Sequence, residues 1–316
     1  MENIRTLWPD LNYQKWRDTA VSLHLWTQVV GKVRLALTPW INHSWQVPFY
    51  VTACGIGTSL IPTRNEAFEI EFDFISHRLV VRTSWGEQRL LTLEPQSVAT
   101  FYERVMALLY ELKIAVKINE TPNEVSDPTP FPMDHGHCSY DAVEAHAFWR
   151  ALLQVDRVLK HFRSGFLGKV SPVHFFWGSF DLAVTRFSGR TAPLHPGGVP
   201  ALPDAVVREA YSHEVSSAGF WPGNETFPRP AFYSYVYPEP SGYRARPITK
   251  GAFFEERLGE FILPYDAVRK SLDPDALLLD FLSTTYAAAA QAARWDREAL
   301  ECPLGVPGRP RPMNNV

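Results

Sequence analysis

The residues of this 316-residue chain best suited to chemistry are histidines set among aromatics, prolines and glycines. His174 sits in SPVHFFWGSFDLAVTRFSGR, inside a run of large apolar side chains. His213 is followed directly by Glu214 in REAYSHEVSSAGFWPG, and His135 and His137 flank a glycine in MDHGHCSYD. Imidazole and carboxylate are ligands that suit zinc or iron(II), and a catalytic metal keeps one coordination position open. His174, His213 and Glu214 form the candidate metal set, with His137 as an outside candidate, so a divalent metal (zinc or iron) is one expected cofactor. Two features weigh against it. Metal-binding histidines often come as close pairs, and the one close pair here, His135 and His137, falls in a linker-like stretch. Adjacent His213 and Glu214 point to opposite sides of an extended backbone and share a metal only at a kink.

Without a metal, His174 is the candidate proton-transfer group, with Glu214 or Asp181 orienting its second nitrogen. The expected catalytic set is therefore His174, His213, Glu214 and Asp181. Each has a structural alternative. A lone histidine in an aromatic strand is usually a core residue bonded to a carbonyl or hydroxyl. A carboxylate between Phe180 and Leu182 either needs a partner such as Arg186 or caps the WGSFD turn. Arg186 and Arg190 could clamp an anionic ligand or simply end a strand. AFYSYVYPEP alternates, which puts Tyr233, Tyr235 and Tyr237 on one strand face. Together with Trp177, Arg186 and Trp221, Tyr233 and Tyr235 are the expected ligand-binding residues.

Other fingerprints are missing: there is no GxGxxG after a strand, no GxxxxGK[ST], no GxSxG and no HExxH. CGIGTS at 54–59 has no lysine and reads as a turn. The net charge of -3 gives no long-range field for nucleic acid or anionic lipid, so neither is expected as a partner, whereas a small molecule is. Three scattered cysteines argue against a disulfide scaffold. The polar N-terminus lacks a signal-peptide core and no apolar run approaches membrane-spanning length, which points to the cytoplasm. Nothing in the sequence sets the oligomeric state.

The elements that must position these residues follow from periodicity. Trp16, Ala20, Leu23, Thr27 and Val30 share one helical face, and Gly31 is expected to end that helix. VRLALTPW and WQVPFYVTACG read as strands. FEIEFDF alternates as a strand wet on one side, RLVVRTSW follows, and Val98, Phe101, Val105, Leu108 and Leu112 mark a second helix. Residues 119–139, rich in proline, form a surface connection and the expected boundary. A third helix starts near SYDAVEAH, a short one spans Pro203 to Tyr211, and the last is capped by Asp273 with Pro274 at its first position.

Landmarks recur in order: a helix leading into GKV at 31–33 and 168–170, then PWINHSWQVPFYVT against PVHFFWGSFDLAVT, which makes His43 the counterpart of His174. The expected fold is α+β, two similar helix–antiparallel meander–helix halves packed into one body with their sheets side by side. The expected divisions are 1–121, 122–301 with the candidate site, and a Pro-rich tail over 302–316, loose or draped on the surface.

KVSPVHFFWGSFDLAVTRFSGR, REAYSHEVSSAGFWPG, FYSYVYPEP, NHSWQVPFYVTACG and FEIEFDF together resemble a bacterial family catalogued as a domain of unknown function, over about residues 5–300. That resemblance implies no activity, ligand or residue role. Cys54 stands where the family tends to show arginine, which puts in doubt any role for a cation there. The functional expectation is an enzyme with a His/Glu-centred, aromatic-lined pocket. The alternatives are a non-catalytic binding module or an interaction protein using the apolar residues of 215–240.

Overall fold

The computed structural model describes residues 7–64 and 66–311. Among them are helices α1 (Tyr13–Leu37), α2 (Val98–Glu111), α3 (Ala142–Ser164), α4 (Asp204–Ala210), α5 (Tyr265–Arg269), α6 (Pro274–Ala292) and α7 (Arg297–Leu300). The strands are β1 (Tyr50–Val51), β2 (Gly55–Gly57), β3 (Ile61–Pro62), β4 (Ala67–Asp73), β5 (Arg78–Thr83), β6 (Gln88–Thr92), β7 (His174–Phe176), β8 (Asp181–Thr191), β9 (His213–Trp221), β10 (Ala231–Tyr237), β11 (Phe253–Glu255) and β12 (Glu260–Pro264). The fold is α+β. No helix among the described residues is long and apolar enough to cross a membrane.

The helices begin where short polar side chains can accept their first free N–H groups. Asn12 accepts from Gln14 at 3.0 Å, Asp141 from Val143 at 2.8 Å and Asp273 from Ala276 at 2.9 Å. α1 is longer than its sequence suggests. It runs through Gly31 and takes in VRLAL, expected to be a strand, stopping only at Thr38, before Pro39. The reason is tertiary: Gly31 lies under the indole of Trp177, and its missing Cβ makes room for the ring.

Two antiparallel sheets result, in the orders β1-β2-β4-β5-β6, with β3 on β4, and β11-β12-β10-β9-β8-β7. They meet at one reciprocal bridge, where Phe49 N–H donates to Phe175 O at 2.8 Å and Phe175 N–H to Phe49 O at 2.9 Å. The second sheet presents Leu182, Val184, Phe220, Phe232, Phe261 and Leu263 to the main core, which it shares with α3 and α6. Its other face carries Ala183, Ala231, Tyr233 and Ile262 with Phe227 in a separate apolar cluster.

Each part of the chain contains a long helix, a meander and further helices, but descent from one repeated segment remains a proposal carried by the sequence landmarks. One of those landmarks does not hold in space. His43 lies in a 3₁₀ turn (Asn42–Ser44) with φ of 61°, whereas its counterpart His174 is in β7. The Pro-rich linker is also anchored more firmly than its composition suggests. Phe131 is fully buried, and Asn123 is clamped by Gln28, which donates to its carbonyl at 2.8 Å and accepts from its N–H at 2.7 Å. The tail is draped rather than loose as far as Arg311. Cys302 N–H donates to Gly165 O at 3.3 Å and Gly305 N–H to Ser164 Oγ at 2.9 Å. Residues 312–316 lie outside the described residues.

Candidate functional site

The outer face of the second sheet, the linker and α1 enclose a cavity of about 960 Å³. Period-two alternation along β10 delivers Tyr233, Tyr235 and Tyr237 to it, and the same rule along β12 delivers Glu260 beside Ile262. Asp181 opens β8, where it accepts from Ser179 Oγ at 2.5 Å and from the Tyr233 hydroxyl. Glu124 comes from the linker, held by its own N–H to Pro200 O at 3.0 Å and by the Asn123 clamp onto α1. Glu124 lines the cavity beside Gly178 and stays solvent-exposed.

Two glycines shape this arrangement. A Cβ at Gly178 would lie 2.1 Å from Glu124 Oε1, so the glycine gives that carboxyl its seat. Gly219 pairs directly with Tyr233 across β9 and β10, and a Cβ there would lie 2.6 Å from the tyrosine Oη and 2.4 Å from Leu182 O. The phenol can therefore lie across β9 to reach Asp181 on β8. Gly219→Ala should push Tyr233 off Asp181 and destabilise the fold by about 1–3 kcal/mol, as overpacking does. A denaturant midpoint and the variant's crystal structure check this; an unmoved phenol would contradict it.

Asp181 is buried and Glu260 half-buried, whereas Glu124 keeps a solvent-exposed side although protein packs closely around its carboxyl, and no cation among the described residues pairs with any of the three. Burial first, and the charge of Asp181 second, push Glu124 up to about 7 and Glu260 up to about 8. Burial also raises Asp181, opposed by its hydrogen bonds from Ser179 and Tyr233. Neither glutamate carboxyl has a hydrogen-bond or ion-pair partner among the described residues. The phenols around them keep their protons: burial holds Tyr211 at about 12 and Tyr233 and Tyr235 well above the ordinary value. The His24 and His195 imidazoles are held toward the neutral form. Burial lowers His24, which meets Gly178 O at 2.8 Å, to about 4, and it also lowers His195. Beside the carboxyls, the His195 ring stacks on Tyr211 at 4.7 Å and meets Tyr237 at 4.9 Å, and the Tyr211 and Tyr235 hydroxyls bond at 2.8 Å.

The residues expected from sequence are split by this geometry. Asp181, Trp221, Tyr233 and Tyr235 line the cavity, with His137 also on its wall. His137 Nδ1 pairs with Asp134 Oδ2 at 2.8 Å. His174 does not line it. It is sealed among Trp45, Tyr50 and Phe176, with ring centroids 5.5–5.8 Å away, and burial lowers it to about 3. Its partner in β8 is Ala183, whose partner in β9 is Gly219, six residues from His213. At about 3.3 Å per residue the two backbone positions lie roughly 20 Å apart along the strands, and the rings of Trp45 and His43 stand between the two imidazoles. His213 instead lies 6.0 Å from His43, and Glu214, on the opposite face of β9, pairs with Arg190 at 2.7 Å. The set His174, His213 and Glu214 is thus not brought together, and no three His, Cys, Asp or Glu among the described residues converge as metal ligands do.

Trp177 and Arg186 are also placed elsewhere. The Trp177 indole packs on Gly31 and donates to Val47 O at 3.0 Å. Arg186 is buried over the Phe162 ring at 3.6 Å and the Tyr286 ring at 4.4 Å and donates to Phe162 O. It neither meets Asp181 nor faces a ligand site, because even-numbered positions of β8 point into the main core. Sequence reasoning missed Glu124, Glu260, His24, His195 and Tyr211. For Glu260 the alternation of EFILP was a usable signal; for Glu124, in a Pro-rich linker, there was none.

No curated protein and no solved structure matches the chain. The model of one family, described as a family of unknown function (DUF5996), matches residues 8–302, nearly the whole length. The long motif strings around β7–β10 pointed to such a family, and the chain belongs to DUF5996.

Proposed function

We propose that the protein is an enzyme whose cavity holds a small molecule while carboxyl groups move a proton to or from it. The observation that carries this reading is Asp181 with two unpartnered glutamates, Glu124 and Glu260, brought near neutrality around one aromatic-walled cavity. General acids and bases work best when they titrate near the working pH. Asp181 accepts hydrogen bonds from Ser179 and Tyr233, which favour its charged form, whereas neither glutamate carboxyl has such a donor among the described residues. Asp181 is then the base, oriented by Ser179 and Tyr233, and Glu260 or Glu124 the acid. His174, central to the sequence expectation, has no part in this reading, since its ring is sealed away from the cavity. No metal-dependent step is included, because the carboxyls line the wall and do not point at one ion.

The test is incubation with a deproteinised cell extract in D₂O, followed by NMR and mass spectrometry. The wild type should deplete or deuterate at least one compound that Asp181→Asn leaves unchanged. A compound that stays bound through native mass spectrometry yet is never altered would instead make the protein a binding module.

A further inference from the structure

We infer that the ligand of this cavity is an organic cation, an amine or ammonium compound seated on the tyrosine wall with its charge toward Asp181, Glu124 and Glu260. The inference rests on the preceding reading that the cavity is the small-molecule site, and adds the substrate class.

Charge is the first argument. The lining carries the carboxyls of Glu124, Asp127, Asp134, Asp181, Glu225 and Glu260 and not one lysine or arginine. Arg208, beside the aromatic wall, is tied to Asp204 at 3.3 Å and to the carbonyl of His195 at 3.2 Å. An anionic ligand would meet only like charge, which costs several kcal/mol at close range. A phosphate ester or carboxylic acid is therefore a poor occupant.

The aromatic wall is a second and independent argument. His195, Tyr211, Tyr235 and Tyr237 form a continuous ring surface, with neighbouring centroids 4.7–6.4 Å apart. Ring faces attract cations within about 6 Å, and more strongly where water is excluded. Rings beside carboxyls on one sheet face suit an apolar body that carries a positive charge.

The unpartnered acceptors decide between a cation and a neutral polyol. Glu124 and Glu260 accept no hydrogen bond from the described residues, and desolvation first and the charge of Asp181 second raise both above the ordinary carboxylate range. Sugar hydroxyls could satisfy their lone pairs but would leave three acids close together without a counter-charge. An ammonium group supplies both donors and charge. A metal ion would supply charge too, but needs ligands that converge, and none do among the described residues.

Isothermal titration with three isosteric probes, benzylamine, benzyl alcohol and benzoate, tests this. Benzylamine should bind at least about tenfold more tightly than the alcohol, the benefit of one desolvated cation contact, and benzoate should not bind. Bound cation favours the charged carboxylates, so binding should release protons. Its heat should then vary with the buffer's ionisation enthalpy, and its affinity should rise from pH 6 to pH 8. In Glu124→Gln/Glu260→Gln, which removes only charge, the preference for amine over alcohol should fall toward unity and the proton release should vanish. Equal or tighter binding of the alcohol, or binding of benzoate, overturns the cation while leaving the cavity a small-molecule site. If none of the three binds, the inference falls, and the proposed activity is then judged by the extract experiment alone.

Discussion

Alanine at position 31 should destabilise the protein, even though it removes a glycine from the interior of a 25-residue helix. On helix propensity alone the change is favourable by about 1 kcal/mol. Packing opposes it. The new Cβ would lie 2.4 Å from Cδ2 and Cε2 of Trp177 and 2.5 Å from Cγ, well inside van der Waals contact. The ring cannot swing away cheaply, since it is buried and its Nε1 donates to Val47 O at 3.0 Å. Overpacking of this kind costs about 1–3 kcal/mol and sometimes more, so the clash outweighs the propensity gain. A lowered denaturant midpoint with unchanged m-value is the expected result. Gly31→Ala combined with Trp177→Leu should be more stable than the sum of the two single changes, because the larger ring is the obstacle. Additive effects would mean that the helix and ring are not in the contact described.

The second large effect concerns pH. Glu260 is raised to about 8 and Glu124 to about 7, against an unfolded value near 4.5. Between those limits the folded state binds more protons than the unfolded chain, so these groups cost stability as pH rises. Their favourable contribution is whole below about pH 4.5 and gone once the pH passes the folded values. The buried histidines act in the other direction. His174 at about 3 and His24 at about 4 are neutral when folded, so stability rises with pH until the unfolded imidazole titrates near 6.5. For these four groups the opposing slopes nearly cancel between about pH 5 and 6, so the sum is a broad stability maximum near about pH 5.5 with a decline above it. Glu260→Gln should flatten that decline, matching the wild type at pH 5 and exceeding it at pH 8 by on the order of 2 kcal/mol, discounted for the part of the side chain that water reaches. Chemical denaturation at pH 5, 6.5 and 8 measures this. A wild type that gains on the variant toward pH 8 would mean that the carboxyl is held charged.

How far the sequence reveals this site depends on whether local pattern or long-range contact places each residue. The tyrosine row on β10 was legible because period two fixes which side chains share a face. The cap of α6 was legible because Asp273 and Pro274 act within one turn. The end of α1 was not, since what keeps Gly31 helical is an indole 146 positions away. The partner of Asp181 was sought in Arg186, five residues on, which the pleat sends into the opposite layer. Its actual partner, Tyr233, is reached across an intervening strand through the space left by Gly219. His174 and His213 looked alike as isolated imidazoles. Only strand register shows them to be far apart, and only burial shows one to be sealed.

The seam at Phe49 and Phe175 has a mechanical consequence. By trading two main-chain hydrogen bonds there, β1 and β7 each hide a border strand that would otherwise be open to any passing chain. Neither portion of the polypeptide is therefore finished by itself. A cut in the linker would leave two fragments with exposed, adhesive margins, and the surest partner for each margin is the other fragment.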